Sequence, residues 1–164
     1  YSYPLAFYPD DDEGYYEVRR ETSEMKTISL QNKAAMKMAR EARTRFLESG
    51  RDGKYVVGLH SFKYYVGVTK KRYGKRYTKE LLNHILVSLK KYPNQEIRVI
   101  DKEFPYDIFV SDKSIITSIA YDGATAGVIV NSTAVASAYN QFFNSVWSDA
   151  KDVRQYLKRE LKKL

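Results

Sequence analysis

The chain contains no cysteine. That excludes disulfides, thiolate metal sites and a cysteine nucleophile, and it suits a reducing compartment, so a cytoplasmic location is expected. Histidine is almost as scarce, with His60 and His84 alone; mechanisms that need a histidine cluster are disfavoured, and neither a zinc site nor any other cofactor is expected. No apolar run approaches the roughly 18 to 20 residues that cross a bilayer, so no membrane contact is expected. The sequence opens Tyr1-Ser2-Tyr3-Pro4, without an initiator methionine or a basic-then-apolar signal segment, which leads us to expect a fragment of a longer protein with another domain ahead of Tyr1. Gly-rich phosphate loops, nucleophile elbows and metalloprotease signatures are missing as well. Internal repeats and long low-complexity stretches are also lacking.

What the chain does have is enough apolar material for one core: 164 residues, 43% of them hydrophobic, have the size and composition of one ordinary domain. Its charge of +8 is unevenly spread. Residues 1–25 carry seven acids against two bases, which leaves thirteen acids and twenty-six bases for the rest, a body charge of +13. Such a surface attracts nucleic acid or an anionic ligand, although net charge acts on solubility and nonspecific association first.

The acidic run Asp10-Asp11-Asp12-Glu13 lies between Pro9 and Gly14, a composition of exposed turns, and it lacks the glycine-centred spacing of a calcium loop. Residues 1–27 are therefore expected as an arm or linker and 28–164 as a single domain. From Ser29 to Ser49, Leu30, Ala35, Met38, Ala42 and Phe46 recur at helical spacing ahead of Gly50, which predicts an amphipathic helix. Lys54–Leu59 and Phe62–Val68 are rich in aromatic and β-branched residues and flanked by glycine, which predicts two strands. A basic loop is expected over Lys70–Arg76. Thr78 is then placed to cap a helix striped by Leu81, Leu82, Ile85, Leu86 and Leu89 and ending near Pro93.

Four short strands are predicted at Glu96–Ile100, Tyr106–Val110, Ser114–Ile119 and Ala126–Val130, with Asp122-Gly123 turning the last pair. Ser132 can cap a closing helix whose Val135, Tyr139, Phe142, Phe143, Val146 and Trp147 face one way, as core packing requires. From Lys151 onward Val153, Leu157, Leu161 and Leu164 repeat at helical spacing, either as a docked last helix or as the seam of a dimer.

The order helix, Glu96–Ile100, a proline-led strand ending in Asp112, a hairpin, Val128-Ile129-Val130 and a helix carrying Phe142-Phe143 and Trp147 resembles the phospholipase D-like fold. More narrowly, it resembles the degenerate form attached to DNA-binding domains in prokaryotic transcription regulators of the TrmB-like group. The resemblance covers roughly residues 78–150 and rests on spacing. It implies an α/β architecture, a mixed sheet flanked by helices. Active members carry His-x-Lys-x-x-x-x-Asp, with histidine as nucleophile or acid and lysine gripping phosphate. Aligning that aspartate with Asp112 puts Pro105 on the histidine and Asp107 on the lysine. Proline cannot attack phosphorus, and an aspartate repels a phosphodiester. The motif is thus lost at this register. His60 and Lys63, in His-Ser-Phe-Lys, miss its spacing by one, and on a strand they would point to opposite faces.

Three readings follow. The first is a non-catalytic sensing domain of a transcription regulator, in which a degenerate cleft with His60, Lys63, Tyr65, Asp107 and Asp112 as candidate ligand-binding residues takes a small-molecule or peptide effector. For Asp112 a turn position, and for Tyr65 sheet packing, weigh at least as heavily. The second is a nucleic-acid-binding domain that uses the basic segment 70–79, with Lys70, Lys71, Arg72, Lys75 and Arg76 meeting phosphates and Tyr73 and Tyr77 stacking on bases. The third is assembly: a homodimer built on the closing helix or the tail, which regulators use to match paired DNA half-sites. DNA then enters through an attached domain or through the basic segment. An enzyme is not expected.

Overall fold

In the computed structural model, residues 41, 44–104, 107–121 and 124–164 are described, and for 72, 107, 118–121 and 124–127 the backbone alone. The chain is a mixed α/β protein. Its elements run β1 (Gly53–Gly58), α1 (Leu59–Lys91), β2 (Gln95–Ile100), β3 (Asp107–Val110), β4 (Ser114–Tyr121), β5 (Ala124–Asn131), α2 (Thr133–Asp149), β6 (Lys151–Asp152) and α3 (Val153–Leu161). Helix also covers 44–48, within the span expected for the first amphipathic helix; Leu30, Ala35, Met38 and Ala42 lie outside the described residues.

β1 and β2 are parallel, paired from Gly53–Gln95 to Gly58–Ile100, and β6 adds a short antiparallel edge at Arg98–Asp152 and Val99–Lys151. Parallel neighbours need a crossover connection, and α1 is that crossover. This is the main correction to the sequence reading, because Phe62–Val68 is helix, not strand, and the basic stretch Lys70–Arg76 is helix, not loop. The deciding pattern is burial at Phe62, Tyr65, Val66 and Thr69, a spacing of three and four that only a helix turns to one side. β-favouring composition yields to it because strand propensity reflects packing more than backbone preference.

The second correction concerns the sheet. β3, β4 and β5 form a separate antiparallel three-stranded sheet in sequential order. The expected turn residues Asp122 and Gly123 lie outside the described residues, as does Pro105.

β2 is the centre of a three-layer arrangement. Its Ile97 and Val99 point with Val57 into a cluster made by α1 (Phe62, Leu81, Leu82, Ile85, Leu89) and α3 (Val153, Leu157). On the other face Ile100 and Val56 pack with Val146 and Ala150 at the end of α2. Alternation of side chains along β2 serves both layers. The tail is accordingly a docked helix: Val153 and Leu157 are fully buried against α1, and the seam that they would offer a second copy is already filled.

Helix ends are closed by side chains. Ser132 Oγ accepts from Val135 N at 3.3 Å, as its position predicts. At α3, Asp152 Oδ1 accepts from Arg154 N at 2.7 Å, while Arg154 Nη2 donates to Leu89 O at 3.1 Å near the end of α1. Arg98 does the same for α2, donating to Trp147 O at 3.1 Å with its guanidinium 4.2 Å from the Trp147 ring centre. Cations at helix C-termini satisfy carbonyls and oppose the dipole.

α1 is bent at Gly74, whose φ of 83° and ψ of 171° interrupt the helix. Thr78, expected to cap a helix, instead lies inside α1 four residues past the bend, and its Oγ1 donates back to Gly74 O at 2.8 Å. Gly67, by contrast, lies in regular exposed helix, and a β-carbon added there would meet nothing within 4 Å. Two opposite outcomes are expected in urea denaturation. Gly67→Ala should stabilise by roughly 0.5–1 kcal/mol, because an exposed helical glycine loses only entropy. Gly74→Ala should destabilise by about 1–3 kcal/mol, because that backbone region is essentially closed to a β-carbon.

Candidate functional site

Of the residues expected to bind a ligand, His60 and Lys63 sit one turn apart at the start of α1, both exposed. On a helix they share a side, which a strand would have denied them. His60 Nδ1 lies 3.9 Å from the Glu103 carboxylate in the loop after β2. Tyr65 is not with them: it is buried in the core cluster from helix α1, so it packs, though not as the sheet residue expected, and a role in meeting a ligand from solvent is corrected. Asp107 opens β3 opposite Ser118. Asp112 is exposed in the β3–β4 turn, where Ser111 does the shaping, its Oγ accepting from Ser114 N at 3.0 Å and from Lys113 N at 3.3 Å. Asp112 is a turn residue. Tyr65 is therefore set apart from His60 and Lys63, and none of the five lines the hollow at the ends of β1 and β2.

A cleft among the described residues lies at the carboxyl ends of β1 and β2. It is half open, about 270 Å³ in volume, and lined by Leu59, Val99, Ile100, Asp101, Lys102, Asp149, Lys151 and Tyr156. Open α/β sheets take ligands at this end of their strands, because the loops there can diverge while the strands stay fixed. Gly58 makes the corner possible: a β-carbon on it would stand 2.6 Å from Lys102 O. Lys102 Nζ reaches Asp149 Oδ2 at 3.8 Å, linking the exit of β2 to the end of α2. The start of α1, β2 and its exit loop, α2, β6 and α3 thus converge on one small hollow with polar and apolar lining. Sequence reading misses it because the hollow depends on β1 and β2 being parallel neighbours. The available signal is Leu59, Phe62, Val66, Thr69 and Tyr73 at helical spacing, which converts the segment after β1 into a crossover.

The basic residues are arranged differently. Lys70, Lys71, Lys75, Arg76 and Lys79 are exposed on α1, on both sides of the Gly74 bend; Arg72 belongs to the same helix. Arg76 Nε is held 3.0 Å from Glu80 one turn on. Among the described residues, Lys70, Lys71, Lys75 and Lys79 have no carboxylate within ion-pair distance. Tyr73 and Tyr77 are half-buried and lie against each other, ring centres 5.0 Å apart, which leaves them less open for base stacking than fully exposed rings.

Among the described residues no group of His, Asp and Glu could hold a metal ion, and no helix is long and apolar enough to cross a membrane. Comparison of the chain with protein-family models, with curated proteins and with solved structures gave no match.

Proposed function

We propose that the chain is a non-catalytic sensing module of phospholipase D-like design, which takes a small effector and biases an attached DNA-binding domain of a transcription regulator. The observation that carries this reading is the cleft at the carboxyl ends of β1 and β2; in the register proposed here, the Pro105–Asp112 segment that follows in sequence takes the place of the lost motif. Five elements meet at that cleft: α1, β2 with its exit loop, α2, β6 and α3. A ligand that fits one of their arrangements better than another shifts the population between them, as a sensor requires. Its volume of about 270 Å³ falls just below the range of roughly 300–1,000 Å³ for drug-sized ligands, and this favours a small molecule.

The test is a thermal-shift screen of small polar metabolites against the full chain and against Lys151→Glu. A ligand at about 100 times its Kd stabilises by about 2.7 kcal/mol, which raises Tm by roughly 5–10 °C for a chain of this size. A rise that Lys151→Glu abolishes supports the reading; a screen without any rise, or one matched by the variant, removes it. Phosphodiesterase activity that vanishes in His60→Ala would overturn the non-catalytic part.

A second reading, nucleic-acid binding through α1, is favoured by one observation. Four lysines, without carboxylate partners among the described residues, stand exposed within ten residues of one helix, free to exchange their counterions for phosphates.

A further inference from the structure

The two edges of the second sheet are treated differently. β3 has four residues, begins with Asp107 after Pro105 and ends in Ser111-Asp112-Lys113. A short strand bounded by charges and proline is a guarded edge. β5 has eight residues, and neither it nor β4 contains a charged residue or a proline. Among the described residues β5 pairs with β4 alone, so its outer row of main-chain donors and acceptors is open.

Its described side chains are equally unsheltered. The register aligns Phe109, Ile116 and Ile129 in one row across the three strands, and these stand 46%, 43% and 63% exposed. Val128 and Val130, on the opposite face, are exposed as well. Isolated exposed apolar residues are ordinary, but an apolar row on an uncharged open edge is what natural sheets avoid unless something pairs with it.

We infer that the outer edge of β5 pairs antiparallel with β5 of a second copy, joining two three-stranded sheets into one of six strands. Three features select a second copy as the occupant. An antiparallel pair of identical strands is two-fold symmetric and closes on itself, so it leaves no further open edge of this kind. Pairing near Ile129 continues the apolar row of three into a row of six, because each copy presents the same residues at the same register. Charge is the third. On a chain of net charge +8 most faces oppose like charge to like, whereas this strand brings none. The interface differs from the one expected at residues 151–164, whose apolar stripe is spent inside the chain.

The absence of cysteine makes the test clean. Ile129→Cys, Val128→Cys and Val130→Cys are made singly in the full chain, with Val87→Cys, an exposed position on α1, as the control. Under mild oxidation at least one of the three β5 variants should cross-link to dimer far faster than Val87→Cys, because directly opposed β-carbons in an antiparallel pair lie about 4.5–5.5 Å apart, close to disulfide reach. Ile129→Lys should weaken association at least about tenfold by sedimentation equilibrium while leaving the circular dichroism unchanged, since the two-fold applies the charge twice. A monomeric wild type, or β5 cysteines that cross-link no faster than the control, overturns the inference. Neither result bears on the cleft, whose effector is read by the thermal shift.

Discussion

Leu157→Ala should cost about 2–5 kcal/mol of folding stability, the range for removing a large aliphatic side chain from a packed interior. Leu157 is wholly buried, and its neighbours are the apolar residues of α1 and β2: Phe62, Leu82, Ile85 and Val99 belong to the same cluster. These surroundings are held from several sides. α3 is fixed at its start by Asp152 and by Arg154, whose guanidinium reaches back to Leu89 O. A cavity at Leu157 therefore cannot collapse by a simple shift of the tail, which places the loss in the upper part of that range. Since domains of this size are stable by about 5–15 kcal/mol, one residue in the last helix controls a large share of the total.

The measurement is urea denaturation of wild type and variant at two protein concentrations. The difference in stability should be the same at both, because the contacts are within one chain. A difference that grows with dilution would instead make the tail an interface between copies, and a loss below about 1 kcal/mol would mean that α3 is not seated as described.

Legibility in the sequence follows the range of the interactions involved. β2, β4 and β5 and the cap at Ser132 rest on neighbours within a few residues, where period-two alternation and a hydroxyl ahead of an apolar run act locally. The stripe of Val153 and Leu157 is just as visible, but not its partner, because that partner is α1, whose first half is disguised. Phe62-Lys63-Tyr64-Tyr65-Val66-Gly67-Val68 consists almost wholly of residues enriched in strands, and Gly67 discourages a helical reading further. What makes it helix is the core it faces and the parallel pairing of β1 with β2, neither of which any short window contains.

The candidate site suffers from the same disguise. Local composition sets His60 and Lys63 on a strand, where they would diverge; on α1 they share a side, while Asp112 sits in the β3–β4 turn. The cleft residues Asp101, Lys102, Asp149 and Lys151 carry no motif, because the topology alone brings the ends of β2 and α2 together. Arg98 and Arg154 give no local signal for a similar reason: each closes a helix end that comes close only in the folded chain.

Changing Lys70, Lys71, Lys75 and Lys79 to glutamine should flatten the salt dependence of duplex binding by about 3–4 in the slope of log affinity against log salt, if α1 meets phosphates. Each cation seated on a phosphate releases close to one condensed counterion, and four such contacts contribute roughly a hundredfold of affinity loss between 50 and 200 mM salt. The wild type should therefore fall by about that factor more than the variant over the same interval. Replacing exposed lysines on α1 spares its buried stripe, so folding should persist. Removing Lys90 and Lys113, which are exposed but lie outside the 70–79 stretch, provides the comparison for net charge alone. If that pair lowers the slope as much per lysine, attraction belongs to the overall charge of +8 and not to the helix. If neither set alters the slope, the lysines of α1 serve solubility and the nucleic-acid reading fails.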